Sequence, residues 1–142
     1  MSVFRIIIDQ ETALKNKDIY DSALRILAER CDADACEDYE ERAPYLIAAF
    51  CAESAEADRI YRKANGLSAP NAVSEVYLPL TDTFPCAPRF ATAASTYLAS
   101  MLVFDENTEL ADRLFERYSD IMSAICYELP AVVEPISEKY FL

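Results

Sequence analysis

Residues 88–128 read PRFATAASTYLASMLVFDENTELADRLFERYSDIMSAICYE, and two helical periods joined by a short polar break in this stretch decide the fold class. In the first part Phe90, Ala94, Tyr97, Leu98, Met101 and Phe104 return every three or four residues, the spacing of one helix face. Ala91, Ala93, Ala94, Ser95, Ala99 and Ser100 make this a small-residue helix, able to approach its neighbours closely and so the candidate centre of the core. Pro88 suits its first turn, where a missing N–H leaves no hydrogen bond unmade. In the second part Leu110, Leu114, Tyr118, Ile121 and Ile125 form a stripe, with Phe115 and Met122 alongside it. Asp105–Thr108 is too short to do more than reverse the chain, and Asn107 or Thr108 can cap the next helix. The spacing therefore predicts an antiparallel hairpin of helices over 88–104 and 109–128.

Towards the N-terminus two more helices are expected. Ile19, Ala23, Ile26 and Leu27 mark one over 17–30, with Asn16 as its N-cap and Asp18 and Asp21 in its first turns. Another starts at Glu37 or Pro44 and runs to Ala64, with Leu46, Ala49, Phe50, Ala57, Ile60 and Ala64 as its buried face. Asn65-Gly66, holding the only glycine of the chain, is placed to close it with a left-handed residue. From Leu67 to Ala87 the period is lost. Pro70, Pro79 and Pro85 forbid a helix there, and the segment reads as an extended strap anchored by Tyr77, Leu80 and Phe84. Residues 1–16 form an N-terminal arm in which Val3 to Ile8 (VFRIII) can be a short strand or an extended piece. Residues 131–142 form a tail with Ile136, Tyr140 and Phe141 on one face. The expected architecture is all-α: a single domain with a bundle of about four main helices in two antiparallel hairpins.

Composition removes several kinds of function. The 142 residues contain no histidine, so Ser-His-Asp and Cys-His catalysis and histidine-bearing zinc sites are excluded. One glycine cannot build a phosphate-cradling loop or a dinucleotide fingerprint. A net charge of −12 argues against a general grip on nucleic acid. The same charge serves solubility, or a surface that meets a basic partner or lets DNA pass without sticking. The five cysteines (31, 36, 51, 86 and 126) are odd in number and form no C-x-x-C pair. They are expected to be reduced thiols, mainly small buried apolar groups, in a cytoplasmic setting. No apolar run approaches the roughly 20 residues needed to span a bilayer, and Met1 to Asp9 lacks the basic start of a targeting segment.

What chemistry remains is carboxylate and thiol. Asp32 to Glu41 (DADACEDYEE) holds six acids, yet Glu37 and Ala43 stand where a calcium loop begun at Asp32 needs glycine and glutamate. Glu53, Glu56 and Asp58 could face Asp112, Glu116 and Asp120, but a di-metal bundle also needs its histidines, so a solvated acidic face is expected. Cys86, just before the third helix, is the one thiol placed for activation by a helix N-terminus. No catalytic, metal-binding or cofactor-binding residue is assigned, and the chain is expected not to be an enzyme. The tyrosines are scattered rather than interleaved with basic residues, which does not suit base stacking. Tyr77, Leu80, Phe84, Ile136, Tyr140 and Phe141 are the candidate interface.

Tyr77 to Tyr118 resembles the later part of head–tail connector and adaptor proteins of tailed phages. In those, a Pro-rich extended segment leads into an alanine-rich helix, a short acidic turn, and a second helix rich in acids and arginine. Asp18 to Leu27 (DIYDSALRIL) is similar to their first helix, so the resemblance covers about half the chain. It implies a non-enzymatic subunit of a homo-oligomeric ring between portal and tail, assembled in the cytoplasm into the virion. Its arms, loops and tail would join neighbours, portal and tail components would be its partners, and DNA would pass through the lumen without specific binding. The competing expectation is a cytoplasmic protein-binding helical module of unknown partner, using its apolar strap and tail.

Overall fold

The computed structural model describes residues 13–28, 38–69 and 75–130. The Val3–Ile8 segment, most of the acidic turn at 32–41, and the tail with Ile136, Tyr140 and Phe141 lie outside the described residues. Among the described residues four α-helices carry the fold: α1 (Asn16–Ala28), α2 (Tyr39–Ala64), α3 (Ala91–Val103) and α4 (Thr108–Glu128). A 3₁₀ turn at Pro88–Phe90 leads into α3. Among the described residues there is no β-strand, only an isolated bridge between Lys15 and Thr83.

The small-residue helix is the hub. α3 packs against α1, α2 and α4, whereas α1 and α2 touch each other sparsely. The 3–4 hairpin is thus closely packed, and the first two helices are joined mainly through α3 rather than as a tight pair. Ala93 to Ser100 are all buried, together with Leu102 and Val103. A helix covered all round must satisfy its own polar groups. Ser95 and Thr96 do so by donating to the carbonyls of Ala91 and Thr92, at 2.9 and 2.8 Å. Arg42 reaches from α2 to donate to the carbonyls of Met101 and Leu102, at 3.0 and 3.3 Å, where the end of α3 lacks helical donors.

The helix ends show which sequence signals held. Asn107 accepts from the Leu110 N–H at 3.0 Å and is the N-cap of α4. At the other end of α2, Leu67 N–H donates to the Arg62 carbonyl (2.8 Å) and Gly66 N–H to that of Lys63 (3.4 Å). With Gly66 at φ +68° this is a Schellman closure, and the glycine stands where expected. Asn16, expected as an N-cap, is instead the first residue of α1 and fully buried. The α1 terminus is capped from outside: strap carbonyls of Asp82 and Leu80 accept the Asn16 and Lys17 N–H groups, both at 2.9 Å. Asp18 closes the turn by accepting the Lys15 N–H at 2.9 Å.

Of the two starts expected for α2, the structure has the earlier one: the helix begins at Tyr39 and Pro44 lies inside it. The buried face, however, is rotated: Tyr39, Ala43, Ile47, Phe50, Cys51, Ser54 and Asp58 point inward, while Ala64 is exposed and Leu46, Ala57 and Ile60 are half-buried. Ser54 and Asp58 interrupt the apolar period, so the period alone points one step round from the face that is buried. Phe104 and Cys126, read as core, are likewise exposed.

Candidate interaction surface

The strap is an integral part of the body. Phe84 N–H donates to the Leu14 carbonyl at 2.8 Å, Leu78 N–H to that of Pro44 at 3.1 Å, and the Asn16 side chain to that of Pro79 at 2.9 Å. Its far end is held by a buried ion pair. The Asp58 side chain is 3% exposed and that of Arg62 19%, with Nε–Oδ2 at 3.1 Å. Asp58 Oδ1 also accepts the Ala87 N–H at 2.8 Å. Arg62 also donates to the carbonyls of Pro85 (2.9 Å) and Ser68 (3.2 Å). One carboxylate and one guanidinium thereby fasten both ends of the segment that follows α2. Ser54 Oγ and Asn16 Oδ1 are buried without a hydrogen-bond partner among the described residues.

Aromatic rings tie strap to helices. Phe50, fully buried, meets Phe84 (centroids 6.4 Å apart), Tyr97 (5.8 Å) and Tyr118 (6.2 Å). Tyr118 continues outward to Phe115 at 5.4 Å. Tyr97 and Tyr118 have their phenol pKa values raised, first by burial and then by the nearby charge of Glu53, so both stay protonated well above neutrality. Of the candidate interface residues, Phe84 is buried in its own core, Leu80 is half-buried against it, and Tyr77 is exposed. Tyr77 meets Tyr45 edge-on at 5.0 Å, with Val76 exposed beside it in sequence.

A second apolar area lies at the turn end of the α3–α4 hairpin. Ser100, Met101 and Phe104 of the α3 end, with Ala111, Asp112 and Phe115 of α4, line an open cleft of about 220 Å³. Phe104 is 52% and Phe115 43% exposed, unusual for rings this large. The available signal was a stripe too wide for one seam. Phe115, Ser119, Met122 and Cys126 follow at i, i+4, i+7 and i+11, beside the stripe that α4 buries.

The chemistry considered from sequence is placed elsewhere. Asp58 is bound by Arg62, and Glu56 by Arg59 at 2.6 Å, whose hydrogen bond lowers the Glu56 pKa. Among the described residues no three His, Cys, Asp or Glu side chains gather as a metal site. The Cys86 thiol is buried, and its pKa is pushed up by its hydrogen bond with Cys51, by burial and by the Cys51 and Asp58 charges, against a smaller opposing effect of Arg62. It is a neutral thiol at physiological pH, the reverse of an activated nucleophile. Among the described residues no helix is long and apolar enough to cross a membrane. No family model, curated protein or solved structure matches the chain.

Proposed function

We propose that this chain is a non-enzymatic assembly protein that works as a homo-oligomer, in the specific form of a head–tail connector ring subunit joining portal and tail components of a phage particle. The observation that carries the assembly reading is the pair of exposed rings, Phe104 and Phe115, flanking an apolar cleft on the most tightly packed hairpin of the fold. Large aromatics left in water on a rigid support are what protein interfaces use as anchors. Chemistry on the chain's own side chains has little to work with: histidine is absent and Cys86 is held protonated. The ring form comes from the resemblance of residues 77–118 to connector proteins, in which the extended segment and the following helices have the same order.

Native mass spectrometry and sedimentation of the full chain test the reading over a roughly hundredfold range of concentration. A closed higher-order species of one stoichiometry is expected. A monomer at every concentration would refute the ring and leave the protein-binding module as the better account.

A further inference from the structure

The α3–α4 cleft has a definite chemical character. At about 220 Å³ it is smaller than the roughly 300–1,000 Å³ of sites that enclose a whole small molecule, and it is open. It has room for one or two apolar side chains presented from outside. Met101, which lines it, is unbranched and adapts to what it meets.

Arg42 of α2 donates to the Met101 carbonyl at 3.0 Å and is matched by Asp38 at 3.7 Å; along the α4 edge of the cleft the side-chain charge has one sign. α3 contains no charged residue between Ala91 and Val103, so it can contribute none. Asp112 lines the cleft, Glu116 follows one turn along the same edge, and Asp105 is adjacent to Phe104; all three are exposed. The arginines of α4 are turned away. At about 100° per residue, Arg113 and Arg117 each stand two positions past a cleft residue, on the far side of the helix. Arg113 is moreover engaged with Glu109 at 2.7 Å. Among the described residues neither Asp112 nor Glu116 has a cationic partner. The α4 edge of the rim is thus acidic and uncompensated, on a chain of net charge −12.

We infer that this cleft is the docking site of an amphipathic basic polypeptide segment, which seats an apolar side chain between Phe104 and Phe115 and lays Lys or Arg along Asp112 and Glu116. Two such rims would repel each other, so charge favours a basic partner over a second copy of the same face. The inference rests on the assembly reading for the role of the face and adds the chemistry of what covers it.

The probe is a synthetic peptide with leucines at helical spacing and lysines between them, followed by fluorescence anisotropy against the full chain at about 0.15 M salt, where long-range attraction is screened. One control peptide has glutamate for lysine; another has the same composition with the leucines dispersed. The lysine peptide should bind, and both controls should bind much more weakly. Phe115→Ser should weaken binding about tenfold or more, the scale of a buried anchor. Asp112→Lys should weaken it about fivefold. Glu56→Lys, the same change of charge on α2, should leave it within about twofold. Phe104→Ser repeats the anchor test should Phe115→Ser fail to fold by circular dichroism.

No binding, equal binding of the dispersed peptide, or an equal loss in Glu56→Lys and Asp112→Lys would overturn the inference. If the peptide does not bind while Phe115→Ser abolishes self-assembly, the face belongs to a second copy; the inference fails and the assembly reading stands. A monomeric wild type that binds the peptide with this pattern upholds the inference while the ring fails.

Discussion

Replacing Asp58 with alanine is the sharpest test of how the strap is held. The change removes a carboxylate whose side chain is 3% exposed, and strands two groups: the Arg62 guanidinium, 19% exposed, and the N–H of fully buried Ala87. Removing one member of a buried ion pair costs about 3–5 kcal/mol, and leaving a buried donor unsatisfied costs about 1–3 kcal/mol. These overlap, because relaxation of the strap relieves both. Arg62 also keeps its bonds to the Pro85 and Ser68 carbonyls, which offsets part of the loss. We therefore expect about 3 kcal/mol, a lowering of Tm by roughly 10 °C for a chain of this size.

Asp58→Asn keeps an acceptor for Ala87 and should cost less, about 1–2 kcal/mol. The decisive variant is the double one. Asp58→Ala with Arg62→Met takes away both charges, so it should be no less stable than Asp58→Ala alone. Thermal and urea unfolding give the energies, and hydrogen exchange at the Ala87 amide reports whether the strap has come loose there. An Asp58→Ala protein within about 0.5 kcal/mol of wild type, or a double variant whose cost is the sum of the single ones, would refute the reasoning that this pair is a buried clasp.

Other outcomes follow from the same structure. Gly66→Ala meets no neighbour within 4 Å but must hold φ +68°, so it should cost about 1 kcal/mol by strain alone, read as a shift in the urea midpoint. Thiol labelling followed by peptide mapping should modify exposed Cys126 quickly in the native protein, and buried Cys51 and Cys86 only after unfolding. Stability should fall at alkaline pH. Cys86 and then Tyr97 and Tyr118 have folded pKa values above their ordinary 9.0 and 10.0, so the unfolded chain loses these protons first and folding is penalised as pH rises from about 9 upward. Melting curves from pH 7 to pH 10.5 would check this, and Cys86→Ala should remove the earliest part of the loss.

The 3–4 hairpin was legible because each of its signals is local. A small-residue period, an acidic turn with Asn107 at its end, and a second period needed no knowledge of the rest of the chain. Gly66 was legible for the same reason. What sequence could not give was the meaning of polar residues inside α2. Asp58 reads as a member of a solvated face until the strap, nearly thirty residues on at Ala87, supplies the N–H that it binds. Asn16 reads as a cap because its type favours caps, whereas the strap brings carbonyls that do the capping and bury the side chain. Phe104 and Phe115 failed in the opposite direction. Periodicity puts an aromatic on a stripe and cannot say whether the stripe is wider than its partner.

The placement of charge also constrains where function can reside. Among the described residues α3 touches every other helix, and it has no charged residue, so it cannot shift or turn without opening the core on several sides at once. The strap is equally committed, because its carbonyls close α1 and its Ala87 N–H closes the Asp58 clasp. Among the described residues, the exposed aromatic surface left to meet another molecule is the rim: the outer edge of α4, the turn at Phe104, and the Tyr45–Tyr77 corner. A fold whose interior is fixed by long-range hydrogen bonds and whose rim carries exposed rings gains specificity by presenting shape, not by changing it. Binding to such a rim should therefore leave hydrogen exchange in α3 unchanged and protect only amides near α4 and the Phe104 turn. Protection spreading into α3 would mean that the core rearranges and that the rigid-support argument is wrong.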